Sequence, residues 1–144
     1  MEYPKVVTGV GVAAIIPNSK NFVLLGKRKG SIRSGKWDLV GGFVEPNESL
    51  EEAITREVKE ETRLIVESTQ YFCSFPGQYG DRQILVIFFI CKVLGKPQKS
   101  EEVEDYKYFN TIPDVFDSSR KALSVWFQKN QLNKKNNGVH ICTP

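Results

Sequence analysis

One six-residue stretch holds four groups that could do chemistry together: Arg56, Glu57, Glu60 and Glu61. They fall in segment 49–61, which reads as a helix, because Ser49 followed by Glu52 forms a capping box and the interior lacks Asp, Gly and Pro. With Leu50 at zero on a wheel of about 100° per residue, Ala53, Ile54, Val58 and Leu64 trace an apolar arc from about −60° to +80°. Glu57 and Glu61 fall at about −20° and +20°, inside that arc, while Glu60 lies at its edge near −80° and Lys59 points to water. Burying an unpaired carboxylate costs several kcal/mol, and a second like charge one turn away adds to the cost. A divalent cation would relieve both. Oxygen donors with no histidine or cysteine nearby select a hard ion, Mg²⁺ or Mn²⁺, and Mg²⁺ commonly completes its shell with phosphate oxygens. The same residues also describe an ordinary charged helix with i,i+4 pairs, Glu52 with Arg56 and Arg56 with Glu60. The wheel by itself leaves both readings open.

The elements that must position this helix are legible around it. Two β-rich runs, 6–16 and 22–28, flank the turn-forming cluster Pro17-Asn18-Ser19-Lys20-Asn21 and read as consecutive strands. A basic, glycine-punctuated loop, 29–36, leads to a short apolar segment, 37–40, and then to Gly41-Gly42. Strand-like runs recur at 64–72 and 83–94, with a weaker one at 106–109. A second helix is expected over 118–131, where Ala122, Leu123, Val125, Trp126 and Phe127 recur at near-helical spacing. From about residue 133 the chain is polar and rich in Asn and Gly, and a loosely ordered tail is expected there. Strands interleaved with only two helices point to a mixed sheet with helices on its faces.

Composition narrows the classes. At 144 residues, 40% hydrophobic and 26% charged, the chain suits one ordinary globular domain. A net charge of +3 suits a phosphate-bearing small molecule but is too mild for a dedicated nucleic-acid binder. Cys73, Cys91 and Cys142 are odd in number and lack C-x-x-C spacing, and the lone His140 sits in the tail, which argues against a disulfide framework or a zinc site. The longest apolar run, 84–91, is far shorter than the ~20 residues of a membrane-spanning helix, and no signal-peptide pattern is present, so the cytoplasm is the expected location. Cys73, Cys91 and Trp126 read as core. Arg28, Lys29, Arg33 and Lys36 could hold phosphates, and Trp37, Phe43, Phe75 and Tyr79 could stack on a base, although such residues are more often solvated and core respectively.

Read from Gly42, the chain gives Gly42-x5-Glu48-x7-Arg56-Glu57-Val58-x-Glu60-Glu61-x-Arg63-Leu64. This resembles the Nudix box, G-x5-E-x7-R-E-U-x-E-E-x-G-U with U aliphatic, at every defined position except Arg63. Segments 10–12, 23–31 and 35–42 resemble the MutT-like branch of the same superfamily, so the likeness covers roughly residues 6 to 127. It implies an α/β/α sandwich around a mixed sheet and metal-dependent hydrolysis of a nucleoside diphosphate linked to another moiety. Carried over by position, Gly41, Glu57, Glu60 and Glu61 are expected at the metal, Glu60 also as the base, and Arg56 as the residue orienting Glu57. Arg28 and Lys36 are expected at substrate phosphates, and Glu101 or Glu102 is an alternative base near the substrate.

The stretch Gly26-Lys27-Arg28-Lys29-Gly30-Ser31 looks most like enzymes that cut nucleoside triphosphates, modified ones included, to a monophosphate and pyrophosphate. Against it, Ser74-Phe75-Pro76-Gly77-Gln78-Tyr79 looks more like members acting on ADP-ribose or dinucleotides of the NADH type. A non-catalytic nucleotide-binding module usually lacks box glutamates, and all are present. The expected partner is a small-molecule nucleotide, with no membrane and no dedicated nucleic-acid partner, and the resemblance leaves a homodimer open. Arg63 stands where the box has glycine. A left-handed residue closing the helix there would cost a non-glycine residue roughly 1 kcal/mol, whereas a helix running through it would not.

Overall fold

The computed structural model describes residues 9–30 and 32–139, with side chains described up to residue 131. Among the described residues, seven strands and two helices follow in the order β1 (Gly9–Ile15), β2 (Val23–Arg28), β3 (Trp37–Asp38), β4 (Val40–Phe43), α1 (Leu50–Thr62), β5 (Ile65–Tyr79), β6 (Arg82–Leu94), β7 (Val103–Phe109) and α2 (Asp117–Val139). The strands divide into two sheets. One is mixed, ordered β4-β1-β6-β5 with β1 parallel to β6, and the other is antiparallel, ordered β3-β2-β7.

Strand alternation builds the three layers. On β1, Val12 and Ala14 join Ala53, Ile54 and Val58 of α1, while Ala13 and Ile15 join Ala122, Leu123 and Trp126 of α2. Successive residues of one strand thus serve opposite cores, as the period of two requires. β2 behaves likewise, with Leu24 on the α1 side and Val23 and Leu25 on the α2 side. Trp126 is core as expected, and its indole N–H donates to the Asn21 carbonyl at 3.0 Å. Cys91 is buried and Cys73 half-buried, both as free thiols, and burial pushes the Cys91 thiol up to about 12.

Two elements differ from the sequence reading. β5 does not stop near residue 72 but runs fifteen residues to Tyr79 through Pro76 and Gly77. As an edge strand pairing only with β6, it can hold a proline whose missing N–H costs no ladder bond. α2 begins at Asp117 and continues to Val139, past the predicted end at 131 and into the stretch read as loose tail, while residues 140–144 lie outside the described residues. An established helix extends without a new nucleus, so weakly favourable residues can continue it.

α1 follows its signals closely. Ser49 is the N-cap, its hydroxyl accepts from the Glu52 N–H at 3.0 Å, and the Glu52 carboxylate accepts from the Ser49 N–H at 3.0 Å. The far end closes on Arg63, left-handed at φ 67°, whose N–H donates to the Lys59 carbonyl.

Candidate functional site

α1 presents its carboxylates in graded burial. Glu61 is only 8% exposed, the Glu57 side chain 13% and the Glu60 side chain 60%, the order expected from their places on the wheel. Arg56 ties the helix to the loop before it. Its Nε and Nη2 donate to both carboxylate oxygens of Glu48 at 2.6 and 2.9 Å, Nη2 also reaches the Phe43 carbonyl at 3.0 Å, and Nη1 donates to Glu57 at 2.7 Å and Glu60 at 3.3 Å. The forked geometry is one that guanidinium supplies and ammonium cannot. The Arg56–Glu60 pair of the charged-helix reading exists, but Glu52 is spent on the capping box.

Two adjacent glycines of β4 allow close approaches, Gly41 to the backbone of β1 and Gly42 to Glu57 of α1. A Cβ on Gly41 would meet the Val12 carbonyl oxygen at 2.1 Å, and one on Gly42 would fall 2.4 Å from the Glu57 carboxyl. Val44 donates to the Val10 carbonyl, so the residue pairs 10/44 and 12/42 are the hydrogen-bonded ones of the β1–β4 ladder. Gly41, opposite Ala13, therefore keeps its N–H and carbonyl free of β1.

These groups line a cavity of about 490 Å³ that the second sheet completes. Its lining includes Gly41, Glu57 and Glu61 from β4 and α1, Arg28 from the end of β2, Glu102 just before β7, and the contacting rings Phe43, Tyr79 and Phe116. Burial raises the Glu61 carboxyl well above the usual range, the charges of Glu57 and Glu102 raise it further, and Arg28 opposes them. Burial also raises Glu57, against the pull of Arg56. Glu48, by contrast, is drawn down to about 2 by its bonds to Arg56.

The fit to a divalent ion rests on Glu61. It is a deeply buried carboxylate with no ion-pair partner among the described residues, held near two like charges. The available donors are all oxygen. No ready-made group of three or more His, Cys, Asp or Glu side chains is present among the described residues, so a bound ion would take part of its shell from a carbonyl, water or ligand phosphates.

The other residues singled out in the sequence separate by position. Arg28 and Glu102 reach the cavity, and so do Phe43 and Tyr79, whose rings meet edge-to-face at 5.2 Å. Lys36 does not line it; its ammonium pairs with Asp114 at 3.2 Å. Glu60 does not line this cavity but borders a smaller one beside it, with Arg63, Lys99 and Glu101, and Glu61 and Glu102 line both. Trp37 packs against Phe109 and Phe75 against Phe88, away from the site. The sequence reading passed over Phe116, which contacts Tyr79 at 5.9 Å, and Asp38, a buried carboxylate accepting from the Phe116 N–H at 2.7 Å and the Ser119 hydroxyl at 2.6 Å. Neither belongs to a periodic pattern; the one available signal was an unpaired acid in an apolar segment.

Residues 7–138 match the family model for the NUDIX domain. Among curated proteins, the chain is 38% identical over 124 residues to an ADP-ribose pyrophosphatase of Methanocaldococcus jannaschii, covering 83% of this chain and 73% of that protein. It is 32% identical over 111 residues to an NAD-capped RNA hydrolase of Schizosaccharomyces pombe, covering 76% of this chain but only 29% of the longer relative. Among solved structures, it superposes on a MutT NUDIX hydrolase from Burkholderia pseudomallei with a TM-score of 0.74 at 27% identity, covering 81% of this chain and 95% of that one. No helix among the described residues is long and apolar enough to cross a membrane.

Proposed function

The chain belongs to the NUDIX family and is a pyrophosphohydrolase, and from that premise we propose that its substrate is ADP-ribose or a closely related dinucleotide rather than a nucleoside triphosphate. The observation that carries the reading is the single cavity in which Glu57, Glu61 and Arg28 share space with the aromatic wall of Phe43, Tyr79 and Phe116. That combination suits a diphosphate attached to a stacking base. The names of the relatives, one acting on ADP-ribose and the other on NAD-capped RNA, support it; the chain spans most of the first and under a third of the second.

Glu57, Glu61 and the Gly41 carbonyl would hold the metal, Mg²⁺ or Mn²⁺. When bound, the ion supplies positive charge to the phosphate oxygens and lowers the cost of ionising water. Arg28, which shares the cavity lining, neutralises diphosphate oxygens. Arg56 holds Glu57 in place while its own plane is set by Glu48. Glu102, which faces Glu57 and Glu61 across the cavity, replaces the exposed Glu60 as the base that takes a proton from the attacking water. The water oxygen bonds to phosphorus, the bridging P–O bond breaks, and the leaving phosphate takes up the electron pair. From ADP-ribose the products are AMP and ribose 5-phosphate. On this reading the chain acts as one domain in the cytoplasm.

Purified protein with Mg²⁺, offered ADP-ribose, NADH, diadenosine polyphosphates and dNTPs in parallel, tests the reading. AMP release from ADP-ribose or NADH with the highest kcat/KM is expected; preferential pyrophosphate release from dNTPs would overturn it.

A further inference from the structure

Of the three cations between β2 and β3, Lys29 lines the cavity, whereas Arg33 and Lys36 both turn to one distant carboxylate. Arg33, left-handed at φ 54°, donates from Nη2 to both the main-chain carbonyl and the carboxylate of Asp114, each at 2.9 Å. Lys36 reaches the other carboxylate oxygen at 3.2 Å. Asp114 lies 81 residues further on, in the connection between β7 and α2, so one side chain fastens two distant segments. Both cations hold its carboxyl below the usual range.

The same segment holds Arg28. Its Nε donates to the Ile32 carbonyl at 3.1 Å, one residue before Arg33, and its main chain exchanges bonds with Gly35 and Lys36 at 2.8 Å each. The guanidinium groups of Arg28 and Arg33 both lie over the Phe116 ring, at 5.4 and 5.1 Å, two residues beyond Asp114. A short chain of contacts thus runs from Asp114 through Arg33 and Ile32 to the cation on the cavity wall.

We propose that Asp114 is a positioning residue for substrate binding: by clasping Arg33 and Lys36 it fixes segment 32–36, and through the Ile32 carbonyl it sets the Arg28 guanidinium where the diphosphate lies. The proposal rests on the reading above, in which Arg28 meets the diphosphate. Asp114 is 65% exposed at its side chain, and ion pairs so exposed add little to global stability. Losing them therefore changes the order of one segment rather than the fold, which separates a positioning role from a structural one.

The test compares wild type, Asp114→Asn and Asp114→Glu by calorimetric binding of ADP with Mg²⁺, by amide exchange and by thermal melting. Asp114→Asn is expected to weaken ADP binding roughly three- to tenfold. It should also speed exchange at the Gly35 and Lys36 amides while leaving β1, β6 and the melting temperature unchanged. Asp114→Glu, which keeps the charge, should restore ADP affinity to within about twofold of wild type. An Asp114→Asn protein that binds ADP as wild type does overturns the positioning role, as does a general rise in exchange with a fall in melting temperature. A wild-type protein that binds no ADP overturns the functional reading itself, a result distinct from either.

Discussion

Glu57 and Glu61 are the same residue type one helical turn apart, yet their surroundings differ. Glu57 shares the Arg56 guanidinium at 2.7 Å, whereas Glu61 has no cation within ion-pair reach among the described residues. Replacing either with Gln removes a donor charge from the proposed metal site without changing its shape, so each variant should lose about 10²-fold or more in kcat. Steady-state assays check this, and activity within tenfold of wild type would contradict the assignment. Without metal, Glu61→Gln should melt at a higher temperature than wild type, since it removes a buried charge repelled by Glu57 and Glu102. Glu48 gives the opposite sign. Its folded value of about 2 lies below the unfolded value of 4.5, so its contribution is present above 4.5 and is lost as pH falls toward 2. Melting curves between pH 5 and pH 2 should therefore fall more steeply for wild type than for Glu48→Gln.

At the scale of elements, α1 is held at both ends by local chemistry. The capping box starts it, and Arg63 ends it in the left-handed region. Of the two outcomes that the box departure left open, the structure has the strained one. Arg63→Gly should stabilise the protein by up to about 1 kcal/mol, because the relief of left-handed strain exceeds the added chain entropy. Chemical denaturation measures the change, and a loss of stability would mean that the Arg63 side chain gives back more than its backbone costs. The end of α1 is also anchored from the second sheet, where the Tyr106 hydroxyl donates to the Glu61 carbonyl at 2.6 Å. Tyr106 in turn lies over Gly26, where a Cβ would meet it at 3.2 Å and Val103 at 2.8 Å.

The whole molecule brings the two sheets to one cavity. α1 and β4 supply Glu57, Glu61 and Gly41, while β2 supplies Arg28 and the residue just before β7 is Glu102, joined where the Lys29 N–H donates to the Glu102 carbonyl at 2.8 Å. Three carboxylates facing a shared space make the metal-free fold pay a repulsive cost. Mg²⁺ should raise the melting temperature by roughly 7–10 °C, on the order of 2–3 kcal/mol at a hundred times its dissociation constant. A chelator should reverse the shift, and Glu61→Gln should abolish most of it. An equal shift in that variant would place the ion elsewhere.

The helix, its capping box, its buried carboxylates and its exposed Lys59 were legible from the chain alone, because all depend on neighbours three or four residues away and on the helical period. The family was legible on other grounds, the resemblance of residues 42–64 to the Nudix box. Tertiary structure decided the rest. Which acid faces Glu57 and Glu61, where Lys36 points, and that Phe116 closes the cavity all follow from pairings far apart in sequence, such as Asp38 with Ser119 and Arg33 with Asp114, each 81 residues apart. Those pairings are set by how strands register within two sheets and by what then packs across them, and no short-range period in the chain encodes that arrangement.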